Sequence, residues 1–217
     1  MKNLLYKELK LSASVLSYVF IAGALLTFVP GYPILLGAFF TTLGIFYSFQ
    51  STRENNDIQY SLLLPVAKAD IVKSKYLFTL FIEFCSFVIM AAATFIRMLL
   101  LENAKVYTSN ALMCANLAFL GFALLIFGLF NFVFISGFFK TAFYFGKPFI
   151  AYGIITLFII AFAETLHHLP GMACVNSFGF ENILPQGAIF GCGALAFIAL
   201  TYFGLKISVS RFEKIDL

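Results

Sequence analysis

The sequence predicts an all-α fold, a polytopic integral membrane protein with six transmembrane helices and both termini in the cytoplasm. Of the 217 residues, 62% are hydrophobic, and the mean hydropathy is +0.98. Only 11% are charged, whereas about 25% is usual in soluble domains, and the apolar residues occur in long runs. Because a soluble chain of this size cannot bury so much apolar surface, the composition excludes a soluble enzyme, a disordered regulator and a secreted disulfide scaffold.

The chain is predicted to form a single transmembrane domain, residues 1–217, that opens with a helix at the membrane interface. Residues 1–11 alternate basic and apolar side chains, which is typical of an interfacial amphipathic helix. A basic flank that only fixes the topology is the alternative. A spanning helix needs about 20 apolar residues, and six runs come close to this length. They cover about 11–29, 34–49, 76–101, 111–138, 148–163 and 187–205.

These apolar runs are predicted to be helices because a backbone in lipid must satisfy its own hydrogen bonds. The strands of a membrane barrel would instead be short and would alternate polar with apolar residues. The two prolines of the segment 30–33 separate the first span from the second by a tight turn.

The basic residues predict the orientation of the spans. Twelve of the fourteen lie on the face that carries both predicted termini: Lys2, Lys7, Lys10, Arg53, Lys68, Lys73, Lys75, Lys140, Lys147, Lys206, Arg211 and Lys214. Only Arg97 and Lys105 lie towards the other face. The positive-inside rule therefore places both termini in the cytoplasm. We expect a multi-pass protein of the cell membrane, of bacterial origin.

The largest polar stretch, residues 50–75, is predicted to be a cytoplasmic loop between the second and third spans. Ser51 and Glu54 have the spacing of a capping box, which predicts a helix that starts there and ends by Pro65. The third helix follows, and Asp70 would lie in its first turn, where a negative charge suits the helix dipole.

This loop resembles that of ABC-2-type transporter permeases, the membrane subunits of ABC exporters. The matching residues are Leu64, Pro65, Val66, Lys68, Asp70, Ile71, Val72, Lys75 and Tyr76. The interfacial opening and the six-span layout are similar as well. One departure is Ala67, where the family often has a Ser or Thr that can cap the next helix.

The resemblance implies that the loop helix docks on a cytoplasmic ATPase and passes the closure of that ATPase to the spans. On this interpretation the docking surface consists of Thr52, Arg53, Glu54, Asn55, Asn56 and Asp57. A solvated loop whose charges only hold it in the cytoplasm is the alternative. The partners would be an ABC ATPase subunit, a second permease copy in a homodimer, and the lipid bilayer.

The chain has no ATP site of its own that the sequence reveals. Gly146-Lys147 is the only Gly-Lys pair, Thr141 stands where a Walker motif needs its first glycine, and Pro148 replaces the Ser or Thr that would bind magnesium. We therefore expect no cofactor on this chain and no catalytic residue, with ATP and magnesium held by the partner.

Two charges lie deep in the third span. An ionisable group in lipid is costly and usually functional, so Glu83 and Arg97 are candidates for the translocation path. Asn116 and Asn131 of the fourth span are expected to form hydrogen bonds between helices. The Gly187 and Gly191 pair has the spacing of a close helix-packing motif, within one subunit or between two.

The sequence does not indicate a metal site, a redox cysteine pair or a nucleic-acid interface. Glu164, His167 and His168 occur together, but adjacent histidines on a helix point about 100° apart, so we predict an interfacial rim and no metal site. The four cysteines form no C-x-x-C pair, and no basic cluster interleaved with aromatic residues indicates nucleic-acid binding.

The predicted function is that of a permease subunit of an ATP-driven exporter. The Phe-rich spans favour an amphipathic or hydrophobic substrate, such as a peptide toxin, an antimicrobial peptide or a lipid-like drug. A non-transporting membrane assembly or immunity protein is the first alternative, and a membrane-embedded enzyme the second. An enzyme would need catalytic residues clustered at one depth, and the charges here are scattered.

Overall fold

The computed structural model describes residues 2–101, 104–110 and 112–215, and every regular element within these ranges is helical. The predicted all-α class is therefore confirmed. Three predicted boundaries lie outside the described residues: the start of the interfacial helix at Met1, the start of the fourth span at Ala111, and the end of the domain at Leu217.

The N-terminal region is a bent pair of helices. It consists of α1 (Lys2–Lys7), a π-helical turn (Glu8–Ser12), α2 (Val15–Val19) and a 3₁₀ helix (Phe20–Phe28). The two halves meet at 95°. The break is fixed by Ser14, whose hydroxyl accepts a hydrogen bond from the backbone N–H of Leu16 and so caps α2. The first helix therefore lies across the end of the second.

The 3₁₀ geometry makes this first apolar segment longer than its residue count indicates. A 3₁₀ helix rises about 2.0 Å per residue, against about 1.5 Å in an α-helix. Five α-helical and nine 3₁₀ residues therefore extend about 26 Å, close to the hydrocarbon thickness of about 30 Å.

Helix α3 (Leu36–Glu54) lies inside the bundle and uses its hydroxyl groups to hold its neighbours. Thr41 Oγ1 lies 2.7 Å from the hydroxyl of Ser86 on α5, and Thr42 Oγ1 lies 2.8 Å from that of Tyr152 on α9. Ser48 bonds Ser17 of α2 at 2.6 Å. Because these groups are satisfied between helices, α3 can be less apolar than a helix that faces lipid.

The predicted capping box at Ser51 is wrong, because α3 continues through it to Glu54. The Ser51 hydroxyl instead accepts from the Asn55 amide, and Glu54 accepts from Gln50, both at i,i+4 spacing. The chain turns at Asn56, whose φ of 50° is in the left-handed region that Asn tolerates better than most residues. Helix α4 (Asp57–Leu62) follows and ends before Pro65.

Helix α5 (Lys68–Leu100) is the longest in the described chain, and Asp70 lies in its first turn as predicted. The short helix α6 (Lys105–Thr108) follows it. At about 1.5 Å per residue, Lys75 and Arg97 are about 33 Å apart along α5. This separation matches the thickness of a hydrocarbon core, and Glu83 lies about 12 Å in from Lys75.

The C-terminal half contains three long helices. The first combines α7 (Leu117–Leu129), a π helix (Phe130–Ile135) and α8 (Ser136–Phe138). Next come α9 (Gly146–Leu166), a 3₁₀ turn (Ala173–Asn176) and α10 (Ile183–Glu213). The fully buried rings of Phe130, Phe134 and Phe138 form much of the core on this side.

Helix α10 packs against α7 through glycines. A Cβ on Gly193 would collide with the backbone of Gly121, so the two helices approach as closely as their backbones allow. Gly187 and Gly191 are different, because a Cβ there would meet no described atom beyond the adjoining helix backbone. The predicted close-packing pair is therefore not used within the described part of this subunit, and Gly193 has that role.

Four helices of the described chain are long and apolar enough to cross a membrane: Lys68–Leu100, Leu117–Phe138, Gly146–Leu166 and Ile183–Glu213. The bent pair Lys2–Ser12 and Val15–Phe28 is a fifth candidate. Six spans require α3 as well, so the six-span count stays a prediction.

The N-terminal helix and residue 215 lie at the same end of the bundle. Lys7 forms an ion pair with Asp57, the first residue of α4. Lys68, at the start of α5, donates a 2.5 Å hydrogen bond to the carbonyl of Ile215. We call this the basic end, after Lys7, Lys68 and Lys75. The other end contains Arg97 and Tyr107.

Candidate coupling site and intramembrane polar network

A four-charge cluster of Lys7, Glu8, Asp57 and Lys75 joins three helical segments at the basic end. Lys75 Nζ lies 2.5 Å from Glu8 Oε2 and 3.1 Å from Asp57 Oδ2. Lys7 Nζ lies 2.8 Å from Asp57 Oδ1 and 3.2 Å from Glu8 Oε1. Each ammonium group thus contacts both carboxylates, and the cluster connects the N-terminal helix, α4 and α5.

Two hydroxyl groups complete the coordination of the lysines. Lys75 donates to Thr52 Oγ1 at 2.7 Å, and Lys7 donates to Ser61 Oγ at 2.7 Å. Since Thr52 lies near the end of α3, that helix is also connected to the cluster. These hydroxyl oxygens supply acceptors that the ammonium groups would otherwise find in water.

Glu8 and Lys75 form the buried half of the cluster, whereas Lys7 and Asp57 are partly exposed, and the geometry explains how the charges are tolerated. Glu8 is 1% exposed and Lys75 is 3% exposed. Burial alone would raise the pKa of Asp57, but the ammonium groups of Lys75 and Lys7 outweigh burial and hold that pKa below its ordinary value. Two positive and two negative charges then balance, as buried ions require.

The six residues predicted to dock an ATPase divide into two groups. The side chains of Arg53, Glu54, Asn55 and Asn56 are exposed at the basic end. Thr52 is buried and Asp57 is mostly covered, and both contact Lys75. The first group can meet a partner, whereas the second holds the loop against the bundle.

Helix α4 and the residue that follows it also present apolar side chains that the sequence interpretation did not select. Tyr60 is 66% exposed and Leu63 is 82% exposed. The sequence contained a signal for this exposed face, because α4 is a short amphipathic helix. Ile58 and Ser61 lie on its buried side, and Gln59 and Tyr60 lie on its exposed side. Together with Arg53, Glu54 and Asn55, the two residues form what we call the α4 surface.

Glu83 lies in the interior, where it pairs with the predicted interhelical asparagine. Asn131 Nδ2 donates to Glu83 Oε2 at 3.0 Å and to Thr201 Oγ1 at 3.0 Å. The Glu83 side chain is 1% exposed, and its Oε1 atom has no hydrogen-bond partner among the described residues. This pairing joins α5, the π helix and α10.

The π helix adds a backbone acceptor to this polar network. Tyr76 donates its hydroxyl to the carbonyl oxygen of Asn131 at 2.9 Å and lies 3.0 Å from the Ser208 hydroxyl. A π-helical segment shifts the backbone hydrogen-bond register, and such segments occur frequently at functional sites. Here the segment brings both the side chain and the carbonyl of Asn131 to neighbouring helices.

Arg97, the second candidate for the translocation path, is held at the opposite end. Its guanidinium donates to the carbonyl of Thr27 at 2.7 Å and lies 4.0 Å from the centre of the Tyr107 ring. Tyr107 in turn donates to the carbonyl of Phe28 at 2.9 Å. These bonds satisfy carbonyls at the end of the first apolar segment, so Arg97 has a structural partner already.

The end of α9 and the loop that follows it are both tied to the segment before α7. Glu164 Oε2 accepts a 2.7 Å bond from the backbone N–H of Met113, and Asn116 donates to the carbonyl of Val175 at 2.8 Å. The rings of His167 and His168 lie 3.9 Å apart. Within the described residues, no three His, Cys, Asp or Glu side chains are grouped to hold a metal ion.

A polar stripe along α5 is the feature that connects these sites. Successive members are three, four or eight residues apart on one buried face: Lys75, Thr79, Glu83, Ser86, Thr94 and Arg97. Such spacing follows the helical period, so the stripe could be identified from the sequence. The partners could not, since they come from distant segments.

Comparison with known proteins identifies the family. A family model described as ABC-2 family transporter protein matches residues 3–213. The searches of curated proteins and of solved structures give no match. The family match covers nearly the whole chain and agrees with its long apolar helices, and the chain therefore belongs to the ABC-2 family of transporter proteins.

Proposed function

We propose that the chain is the permease subunit of an ATP-driven exporter, which moves an amphipathic or hydrophobic substrate out of the cell. The family match supports the permease role, and ABC-2 proteins work with an ATPase partner. In this proposal a separate subunit binds ATP and magnesium, and this chain supplies the membrane path. Peptide toxins, antimicrobial peptides and lipid-like drugs are the substrate classes that the apolar spans favour.

In the proposed topology the basic end faces the cytoplasm and six helices cross the membrane. The positive-inside rule supports this orientation, because twelve of the fourteen basic residues belong to that face. Helix α3 would be the additional span, since its 19 residues extend about 28 Å. Its polar groups bond neighbouring helices, so they need not meet lipid.

The four-charge cluster is the observation that most supports coupling. It joins α4, the helix nearest to a cytoplasmic partner in this topology, to α5, which carries Glu83 and Arg97. A displacement of α4 would move Asp57, and separating it from the buried Lys75 would leave that ammonium group without one of its two carboxylate partners, which is costly. The cluster would therefore pass the displacement to α5.

Docking in this proposal uses the α4 surface. Tyr60 and Leu63 supply the apolar contact, and aromatic residues of this kind are enriched where proteins meet. Glu54, Asn55 and Arg53 supply the polar rim. Thr52 and Asp57 have the separate task of holding α4 to α5.

Two permease copies are proposed to complete the path. A homodimer would supply twelve spans, and α10 offers an uncovered face for contact, with Gly187 and Gly191 open within one subunit. Small residues on such a face let helix backbones approach closely in lipid.

The docking proposal is tested by the double substitution Glu54→Arg with Asn55→Arg. Neither side chain contacts the four-charge cluster, so the fold should be retained while the α4 surface becomes strongly positive. We expect an ATP-binding protein to co-purify with the wild-type chain from native membranes, and at least tenfold less of it with the variant. Photolabelling of the purified material with 8-azido-ATP measures the amount.

The control is Lys147→Glu, an exposed residue of the same predicted face, which changes the net charge by −2, against +3 for the double variant. It should co-purify the ATP-binding protein as the wild type does. Undiminished labelling with the double variant would contradict docking at the α4 surface and would favour the solvated-loop interpretation.

A further inference from the structure

Glu83 forms part of the wall of a cavity between α5, α7 and α10. The cavity has a volume of about 240 Å³, and the rest of its wall is apolar: Leu80, Phe84, Phe87, Leu124, Phe127 and Phe197. Apolar walls with one convergent polar group are typical of small-molecule sites. The Glu83 carboxyl is the single ionisable group of this wall.

The carboxyl lacks part of its hydrogen bonding. Glu83 Oε2 accepts from Asn131, but Oε1 has no partner among the described residues, and none of their basic groups lies within 4.0 Å. A buried acceptor without a partner is costly. A carboxylate inside a membrane protein normally pairs with a positive group, so the unpaired Glu83 Oε1 favours a ligand that brings a cationic donor.

The cavity extends towards the basic end. A second cavity of about 190 Å³, lined by Lys73, Tyr76, Thr201 and Leu205, shares Leu80 with the first. The two together form a groove between α5 and α10, which we call the α5–α10 groove. Lys73, which is paired with Asp70, lies at the basic end of the groove. The other polar positions, Tyr76, Thr201 and Glu83, belong to the network around Asn131.

We propose that the α5–α10 groove binds amphipathic amines. The protonated amine pairs with Glu83 Oε1, and the apolar part lies against the phenylalanine and leucine walls. This inference rests on the proposed function, because it names the substrate class of the permease. It explains why a carboxyl group is kept at this depth with only one oxygen bonded.

Binding can be measured with a fluorescent amine in the isolated chain. Because the chain contains no Trp, Phe84→Trp places a single energy donor beside Glu83, at a side chain that is largely exposed. The probe is a dansyl sulfonamide with a five-carbon arm that ends in a primary amine. The reference compound ends in a hydroxyl. Nanodiscs of neutral phosphatidylcholine avoid enrichment of the amine by anionic lipid.

We expect energy transfer to saturate at a lower concentration with the amine than with the alcohol, by about tenfold or more, because a charged hydrogen bond is stronger than a neutral one. Glu83→Gln should remove this preference and leave the affinity for the alcohol unchanged. The matched control Glu181→Gln, an exposed carboxyl, should keep the preference. Leu124→Trp should fill the groove and weaken the binding of both compounds. This variant is made in a background without the Phe84→Trp reporter, and its binding is assayed by competition with the amine.

Equal affinity for amine and alcohol in the wild-type background would overturn the proposal, as would a preference that Glu83→Gln leaves intact. If Glu83→Gln does not fold, the amine-to-alcohol ratio of the wild type and the weaker binding of both compounds to Leu124→Trp decide the matter. No ATPase is needed in this assay. A failure here therefore leaves the docking proposal standing, and a failure of ATPase docking leaves amine binding unaffected.

Discussion

Lys75 is the most constrained charge in the described chain, because its ammonium group contacts Glu8, Asp57 and Thr52 while almost no water reaches it. Removing one charge from such an arrangement lowers the stability more than removing a balanced pair, because a single removal leaves a buried charge without a partner. Removing Lys75 leaves Glu8 without one of its two cations. Removing Lys75 and Glu8 together leaves the Lys7 and Asp57 pair in balance.

This difference predicts the stability of three variants. Lys75→Met should destabilise the protein by about 3–5 kcal/mol, whereas Glu8→Met with Lys75→Met should cost clearly less. Lys73→Met is the matched control on the same helix, since its partner Asp70 is 3.6 Å away and both side chains are well exposed. It should have an effect within about 0.5 kcal/mol.

The measurement is thermal unfolding of the three variants in detergent, followed by circular dichroism. If the double variant were as unstable as Lys75→Met, the charge balance would not be what holds the cluster together. If Lys73→Met lowered the unfolding temperature as much as Lys75→Met, burial would not distinguish the two lysines.

At the residue scale, the sequence could identify which charges matter but not what they contact. Glu83 and Asn131 could both be identified from the sequence as candidates, because a polar group inside an apolar run costs free energy in lipid. Their pairing across 48 positions depends on how α5 meets the π helix. Glu8 could have been noticed as an acid four residues after the buried Leu4, on the same helical face.

At the scale of elements, the apolar runs predicted the long helices, and local chemistry decided where they end. The capping-box spacing of Ser51 and Glu54 was misleading, because their side chains bond along the surface of a helix that was already formed. The true break occurs at Asn56, which accepts a left-handed backbone. The conversion of Phe20–Phe28 to a 3₁₀ helix has no comparable sequence signal.

The contact between α7 and α10 gives a prediction for this scale. Gly193→Ala forces the two backbones apart, because the new Cβ would overlap the backbone of Gly121. Overpacking of this kind costs about 1–3 kcal/mol, so its unfolding temperature should fall. Gly191→Ala, on the open side of the same helix, should unfold within a degree or two of wild type, which thermal denaturation measures.

Similar unfolding temperatures for the two glycine variants would show that the α7–α10 contact is looser than the structure has it. A larger loss for Gly191→Ala than for Gly193→Ala would mean that the open face is covered in the assembled protein, where a second subunit contributes to stability.

At the scale of the whole molecule, the polar residues along α5 link the two ends of the bundle. Lys75 joins α5 to α4 and the N-terminal helix, Glu83 joins it to the π helix and α10, and Arg97 joins it to the first apolar segment. Composition was sufficient to predict a membrane protein. The connection between ends depends on the three-dimensional arrangement, because each contact comes from a different helix.

The proposed contact between α4 and a separate ATPase is the central claim, and site-directed photocrosslinking tests it most directly. The photoreactive residue p-benzoylphenylalanine replaces Tyr60 in living cells, and the same replacement at the exposed Phe158 of α9 serves as the control. We expect Tyr60 to crosslink to a protein whose sequence contains a Walker motif, identified by mass spectrometry, and Phe158 to give no such product. Crosslinks from Tyr60 only to lipid, or only to proteins without a nucleotide-binding motif, would contradict the claim.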